Sequence, residues 1–297
     1  MTVITQLYVH HDVKNHIMKI KNFDNVIILR PKKSYFNDGS RFEGQLNQIN
    51  NSKLPDGYGK LYYPNGHIQY KGNFKNGEFN GYGEYISPNN YEYIGDFKNN
   101  KKHGNGKIIW KDDKTSFKGI FKNNKVIKGE YLFSNGNKFI GLLKNNKFYI
   151  GKYIDKEIQR SFDGVFINND YLKGTIMFPN GDKFKGTFRK NEPYKSGQWS
   201  LANGNIYKGE FKHVKKSNNE ITFLWDGEGF YETKQFCYRG SFKNQMFHGW
   251  GVLRHKTKER FVGKFKNNEM YDGVYKDAKN GLYVIEKFKV KSRTPEV

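Results

Sequence analysis

Along most of this chain, apolar residues recur at every second position and then stop. Tyr70-Lys71-Gly72-Asn73-Phe74, Tyr93-Ile94-Gly95-Asp96-Phe97 and Phe117-Lys118-Gly119-Ile120-Phe121 each set two rings and a glycine at alternate places. Period two is the mark of an extended strand, so ring, glycine and ring share one face. The phrase returns ten times, on Gly44, Gly72, Gly95, Gly119, Gly141, Gly164, Gly186, Gly209, Gly240 and Gly263. Intervals are 22 to 24 residues, except 28 after Gly44 and 31 after Gly209. A fixed period of this length predicts stacked supersecondary units rather than one enclosed core.

Each unit reads as a β-hairpin. A short polar loop such as Lys98-Asn99-Asn100 follows the first strand, and a second strand begins Gly81-Tyr82-Gly83 or Gly249-Trp250-Gly251. Successive units join at Asn65-Gly66, Asn135-Gly136, Asn180-Gly181 and Asn203-Gly204. Asn-Gly between extended runs predicts type I′ turns, which need positive φ twice. Glycine within a strand weakens it unless another group must approach the backbone, so rings are expected to lie over neighbouring glycines. Hairpins paired in series predict an all-β fold: an elongated, single-layer antiparallel sheet. Each hairpin adds roughly 10 Å, and the array reaches on the order of 100 Å.

The phrase resembles the MORN repeat, in which an aromatic-Glu-Gly-x-aromatic strand, a Lys-Asn-Gly loop and a Gly-x-Gly strand recur at about 23 residues. The resemblance spans Tyr35 to Val290. It implies a rod-like sheet that serves as a scaffold or adaptor, often near membranes or the cytoskeleton, and it implies no catalytic site. The chain divides on this reading into an N-terminal capping segment (1–34), the array (35–290) and a short tail (291–297). His16–Ile20 and Asn25–Arg30 read as strands that cap the first repeat, and Tyr283–Phe288 as the strand that caps the last.

Departures from the phrase are informative. Five units keep Gly-x-Gly, at Gly57/Gly59, Gly81/Gly83, Gly104/Gly106, Gly227/Gly229 and Gly249/Gly251. Four have a shorter loop and one glycine, with Ile127, Tyr149, Leu172 or Tyr271 in place of the first; these bulky residues are expected to fill the space a ring uses elsewhere. Residues beside the anchor glycines point to the opposite face and are mostly polar. From the third to the sixth unit they include Ile94, Ile120, Ile140, Leu142 and Val165. A cluster of this kind predicts a contact surface, for another chain or for the N-terminal segment.

Composition narrows the picture further. Aromatics make up 17% of the chain, with 25 Phe and 21 Tyr, which excludes a disordered chain and assigns burial to rings. The single cysteine, Cys237, excludes an intramolecular disulfide framework and fits a reducing compartment. No apolar run reaches transmembrane length, and Met1–Thr5 does not open a secretory signal, so the expected location is intracellular and cytoplasmic, with membrane or cytoskeletal association. No phosphate loop, metal set or acid–base pair stands out. His10, His11 and His16 have no accompanying ligands. No enzymatic activity and no cofactor are expected.

The net charge of +23 favours anionic partners. Three residues after the anchor glycine stand Lys75, Lys98, Lys122, Lys144, Arg189, Lys212, Lys243 and Lys266; only Asn47 and Ile167 break the row. Equivalent loops share one edge, which makes this an anion-binding ladder with a spacing near the Debye length. Insertions at Gln48–Pro55 and His213–Asn219 fall in the same loop position. The expected function is a non-enzymatic scaffold that docks partner proteins and an anionic membrane surface. A cytoskeletal or axonemal structural subunit is the alternative, and a nucleic-acid-associated protein a weaker one. Acidic protein tails and a homo-oligomer also fit the charge and the apolar cluster.

Overall fold

The computed structural model describes residues 32–49, 52–215 and 221–294. The two capping strands expected before Pro31 lie outside them. Among the described residues there are 23 strands and no helix, in one antiparallel sheet. Each strand pairs with the next in sequence. β1 (Lys32–Tyr35) leads into ten hairpins: β2 (Arg41–Ile49) with β3 (Ser52–Tyr62), β4 (Ile68–Lys75) with β5 (Glu78–Ile86), β6 (Tyr91–Lys98) with β7 (Lys101–Trp110), β8 (Ser116–Lys122) with β9 (Lys125–Leu132), β10 (Lys138–Lys144) with β11 (Lys147–Asp155), β12 (Arg160–Ile167) with β13 (Asp170–Met177), β14 (Lys183–Arg189) with β15 (Glu192–Ser200), β16 (Ile206–Lys215) with β17 (Ile221–Glu232), β18 (Phe236–Lys243) with β19 (Met246–His255), and β20 (Arg260–Lys266) with β21 (Glu269–Lys276). β22 (Leu282–Glu286) and β23 (Lys289–Thr294) follow. The sheet does not close, so it is an elongated single layer. β23 runs through Lys291, so paired strand continues into the stretch read as a tail.

The register explains why glycine is so frequent. Each anchor glycine after Gly44 faces a glycine on both sides: Gly72 pairs with Gly59 and Gly83, Gly119 with Gly106 and Gly129, Gly164 with Gly151 and Gly174. The row is unbroken from Gly44 in β2 to Gly273 in β21, one glycine per strand, and ends where Gly273 meets Ile285. The ring two residues before each anchor lies over this row. It covers its own strand's glycine and that of the paired strand, as Phe117 does at Gly119 and Gly129. The covering rings Phe42, Tyr70, Tyr93, Phe117, Phe139, Phe162, Phe184, Tyr207 and Tyr238 are wholly buried, although the sheet has one layer.

The second ring of each phrase closes the packing. Phe74 meets Tyr70 of its own strand edge-on at 5.0 Å and Phe42 of the preceding hairpin at 5.1 Å. The same pair of contacts recurs at Phe97, Phe188 and Phe265. Edge-to-face geometry suits the ring quadrupoles. In several hairpins a ring on the return strand stacks on the anchor ring, as Phe79 does on Tyr70 at 3.9 Å and Phe148 on Phe139 at 3.9 Å.

Three sequence expectations need correction. The Asn-Gly turns are not type I′. Only the glycine has positive φ, at 84° for Gly66 and 83° for Gly136. Gly66 N–H donates to the Tyr63 carbonyl, and the Asn65 side chain accepts from His67 N–H, a type I turn closed by a left-handed glycine. Second, the first glycine of Gly-x-Gly is not a ring seat. It lies in a bulge where three residues face one, with φ of 85° at Gly81 and 105° at Gly227. In the shorter hairpins Ile127, Tyr149 and Leu172 are the extra residues of a smaller bulge and are exposed, so no ring space is filled. Third, the insertions lengthen their hairpins as paired strand, with Gln48 opposite Lys53 and Val214 opposite Thr222.

The wide bulges also explain why some anchor rings are tyrosine. At four of the five wide bulges the anchor hydroxyl reaches the carbonyl of the single facing residue. Tyr70, Tyr93 and Tyr238 donate to the carbonyls of Asn73, Asp96 and Ser241 at 2.9 Å, and Tyr207 does the same to Glu210. Burial pushes all four phenols up, so they stay donors. Phenylalanine serves at the narrow bulges, where there is no such carbonyl; Phe42 is the exception among the wide ones.

Two outcomes follow. A Cβ at position 72 would lie 2.5 Å from Gly83 Cα and 2.7 Å from the Tyr82 carbonyl, and backbone atoms cannot yield. Gly72→Ala is expected to lower stability by ~1–3 kcal/mol. Gly66→Asn should change it little, because nothing lies within 4 Å and asparagine accepts the left-handed conformation. Thermal melts of both variants check this. Tyr238→Phe should cost about 1 kcal/mol by orphaning the Ser241 carbonyl, whereas Phe162→Tyr should gain nothing. Denaturant titration distinguishes the two.

Candidate functional site

The hairpin tips are built by asparagine. Asn99-Asn100, Asn123-Asn124 and Asn145-Asn146 all have positive φ, between 49° and 69°. These are the type I′ turns, two residues long, and they place the residues on either side directly opposite each other. Asparagine also ties several tips to the hairpin before them. Asn100 Oδ1 accepts from Phe79 N–H at 2.7 Å and Asn124 Oδ1 from Lys102 N–H at 2.8 Å, while Asn100 and Asn124 N–H donate back to the same residues' carbonyls. Asn191 and Asn268 accept in the same way. The tips therefore form a stitched edge.

All eight residues of the basic ladder are exposed on this edge: Lys75, Lys98, Lys122, Lys144, Arg189, Lys212, Lys243 and Lys266. Their cross-strand neighbours divide them. Lys75 faces Glu78, Arg189 faces Glu192 and Lys266 faces Glu269. Lys212 is ion-paired with Asp226 at 2.7 Å, and that bond holds the Asp226 carboxyl below the usual range. Lys243 faces Met246. In the third, fourth and fifth hairpins the partner is a second lysine: Lys98 with Lys101, Lys122 with Lys125, Lys144 with Lys147. Six exposed lysines thus crowd three consecutive tips. The sequence reading found one member of each pair; the other was legible as Lys-Asn-Asn-Lys, repeated three times.

Charge on neighbouring tips differs. A groove between the second and third hairpins is lined by Lys75, Glu78, Asn80, Asp96 and Lys98. Its carboxylates offset its lysines, so the basic surface begins at Lys98 and runs toward Lys147. On the face opposite the rings, Ile94, Ile120, Ile140 and Leu142 are exposed and Val165 is half-buried. Leu142, Ile150 and Val165 are register neighbours and form the continuous part of this patch; Ile150, 41% exposed, extends it beyond the residues beside anchor glycines. Lys128 separates Ile120 from Leu142. The structure also shows an apolar row that sequence reasoning missed, Val252, Val262, Val274 and Val284 on adjacent strands, with Trp250 exposed beside it. Cys237 is half-buried in β18, opposite Glu232 and Arg254.

Among the described residues, no group of three or more His, Cys, Asp or Glu is placed to hold a metal ion, and no helix is long and apolar enough to cross a membrane. The features that remain are surfaces: a basic edge, an apolar back and two sheet ends.

This arrangement defines a β-hairpin repeat protein, in which contacts run only between neighbours. Residues 52–68, 70–90 and 93–115 match the MORN repeat model. Those three segments carry MORN repeats, and the glycine row and covering rings seen in them recur in all ten hairpins. No curated protein matches it. A solved structure of a mutant of the TCP10 domain of Danio rerio CPAP is similar over 89% of this chain and 99% of that one, at 9% identity and a TM-score of 0.26, a likeness too slight to carry an argument.

Like charges directly opposite on a sheet are destabilising. The three lysine pairs therefore cost stability, and nothing in the fold requires them. Combining Lys101→Glu, Lys125→Glu and Lys147→Glu is expected to raise the melting temperature. An unchanged or lower value would show that the pairs are not strained by their charge.

Proposed function

We propose that this protein is a non-catalytic scaffold that docks through its basic hairpin tips on an anionic surface, with an acidic lipid membrane as the surface that fits best. The observation that carries this reading is the block of facing lysines on three consecutive tips. The pairs stand roughly 10 Å apart along the sheet, about one Debye length in physiological salt. Adjacent pairs therefore repel one another weakly, and each meets its own anion. A row of long, flexible ammonium stems suits a plane of head groups, which presents negative charge wherever the row falls. Nucleic acid fits less well, because the anchor rings on which bases would stack are sealed in the sheet.

Liposome sedimentation across ionic strength tests the proposal. Each basic residue near an anionic bilayer contributes about 1 kcal/mol, and salt weakens it. Replacing Lys98, Lys101, Lys122, Lys125, Lys144 and Lys147 by Ser is expected to abolish binding to acidic vesicles at moderate salt. Replacing Lys75, Lys212, Lys243 and Lys266 by Ser should have a small effect, since acidic neighbours already offset three of them. Equal loss in both variants, or a wild type that ignores acidic vesicles, would overturn the reading.

A further inference from the structure

The back of the sheet around β10 carries a pattern that the repeat does not demand. Across β8 to β12, the residues just before the row of glycines on the outgoing strands, and their register partners, read Lys118, Glu130, Ile140, Lys152, Asp163. Reversed, the row places an acid against every base and a base against every acid, with isoleucine at the centre. The row on the side away from the tips is symmetric as well. Leu132 and Ile154 flank Lys138, then Ser116 and Ser161, then Ile109 and Met177. The row nearer the tips has Leu142 at its centre, Lys128 and Ile150 beside it, and Ile120 and Val165 at its ends; its one unlike pair on reversal is Lys128 with Ile150, where the apolar stem of the lysine can cover the isoleucine.

We propose that this face docks a second copy of the chain, back to back, about a two-fold axis that lies along β10. Such an interface is isologous, so a patch must complement its own reversal. The operation sets β9 against β11 of the second copy, β8 against β12 and β7 against β13. Ile140 and Leu142 then sit on the axis and meet their own counterparts. Glu130 meets Lys152 of the second copy, and Lys118 meets Asp163 of the second copy, each contact twice. Ile120 packs on Val165, Leu132 on Ile154 and Ile109 on Met177 across the interface.

The surface is available and large enough. Ile120, Ile140 and Leu142 are 39–45% exposed. Lys118, Lys152 and Asp163 are exposed as well. The one like-charge encounter, Lys138 with Lys138 of the second copy, is eased because each lysine is held by Glu130 of its own chain at 3.4 Å. Seven strands by three rows cover about 30 Å by about 20 Å on each copy, so about 1,200 Å² in total, above the about 1,000 Å² of a specific interface. The valine row near β20 is more apolar but has no such charge pairing, and nothing in the structure shows what covers it. The interface uses none of the tip lysines, so this inference and the membrane reading stand or fall separately.

Sedimentation equilibrium of the full chain over a broad micromolar range tests it. The wild type is expected to dimerise, and Ile140→Asp to be monomeric. Lys118→Glu should weaken association by about tenfold or more, since it sets like charges together twice. Adding Asp163→Lys to that variant should restore association to near wild type, because the swapped charges again face opposite partners. Circular dichroism confirms that each variant folds; if Ile140→Asp does not, the charge swap decides. A chain that stays monomeric at every concentration, a dimer indifferent to Lys118→Glu, or a swap that fails to restore association would overturn the proposal.

Discussion

Close approach of backbone to ring is the constraint on which the rest of this molecule depends. A single-layer sheet has no second layer to bury its apolar face. Here the face buries itself, by laying each anchor ring flat over bare glycine. Glycine in a strand costs about 0.5–1 kcal/mol relative to alanine. Full burial of a Phe-sized side chain returns about 1.5–3 kcal/mol, and each edge-to-face ring pair adds about 0.5–1.5 kcal/mol. The exchange favours the glycine row as long as it stays continuous. A side chain at any one step would lift a ring and expose those beside it, which is why the row passes through every strand from β2 to β21.

Much of this was legible in the residues, and the failures have physical causes. Period two, the fixed interval and the aromatic-x-Gly-x-Phe phrase lead directly to stacked hairpins, because strand faces alternate whatever the tertiary context. The unbroken row was not legible, since the partners of Gly129 or Gly197 depend on register, and register depends on bulges. The type I′ turns were expected at the wrong junctions for a similar reason. Asn-Gly favours type I′ locally, but these loops are long enough for a type I turn closed by glycine. The Asn-Asn tips are two residues long and have no other solution. The ladder was read one strand at a time; that Lys98 faces a lysine while Lys75 faces a glutamate follows only once the tip length is known.

The sheet therefore separates its tasks by place. The ring face holds the fold together. The tips carry charge, ordered by asparagines that serve both as turn formers and as bonds to the preceding hairpin. The back face carries the alternation of apolar and charged residues that packing leaves unconstrained. Because nothing on the back face is needed to seal the rings, its residues were free to acquire the symmetric arrangement around β10 without loss of fold.

Spacing along the rod is set by backbone hydrogen bonds between strands, not by side chains. Extra residues such as those after Gln48 or His213 push a hairpin outward from the edge and leave the distance to the next hairpin unchanged. The chain is in this sense a ruler. Its graduations survive drift in almost every loop and surface residue, so two molecules with little sequence in common would still present their tips at the same intervals, and a partner that matches that interval can be retained while the chemistry at each mark changes.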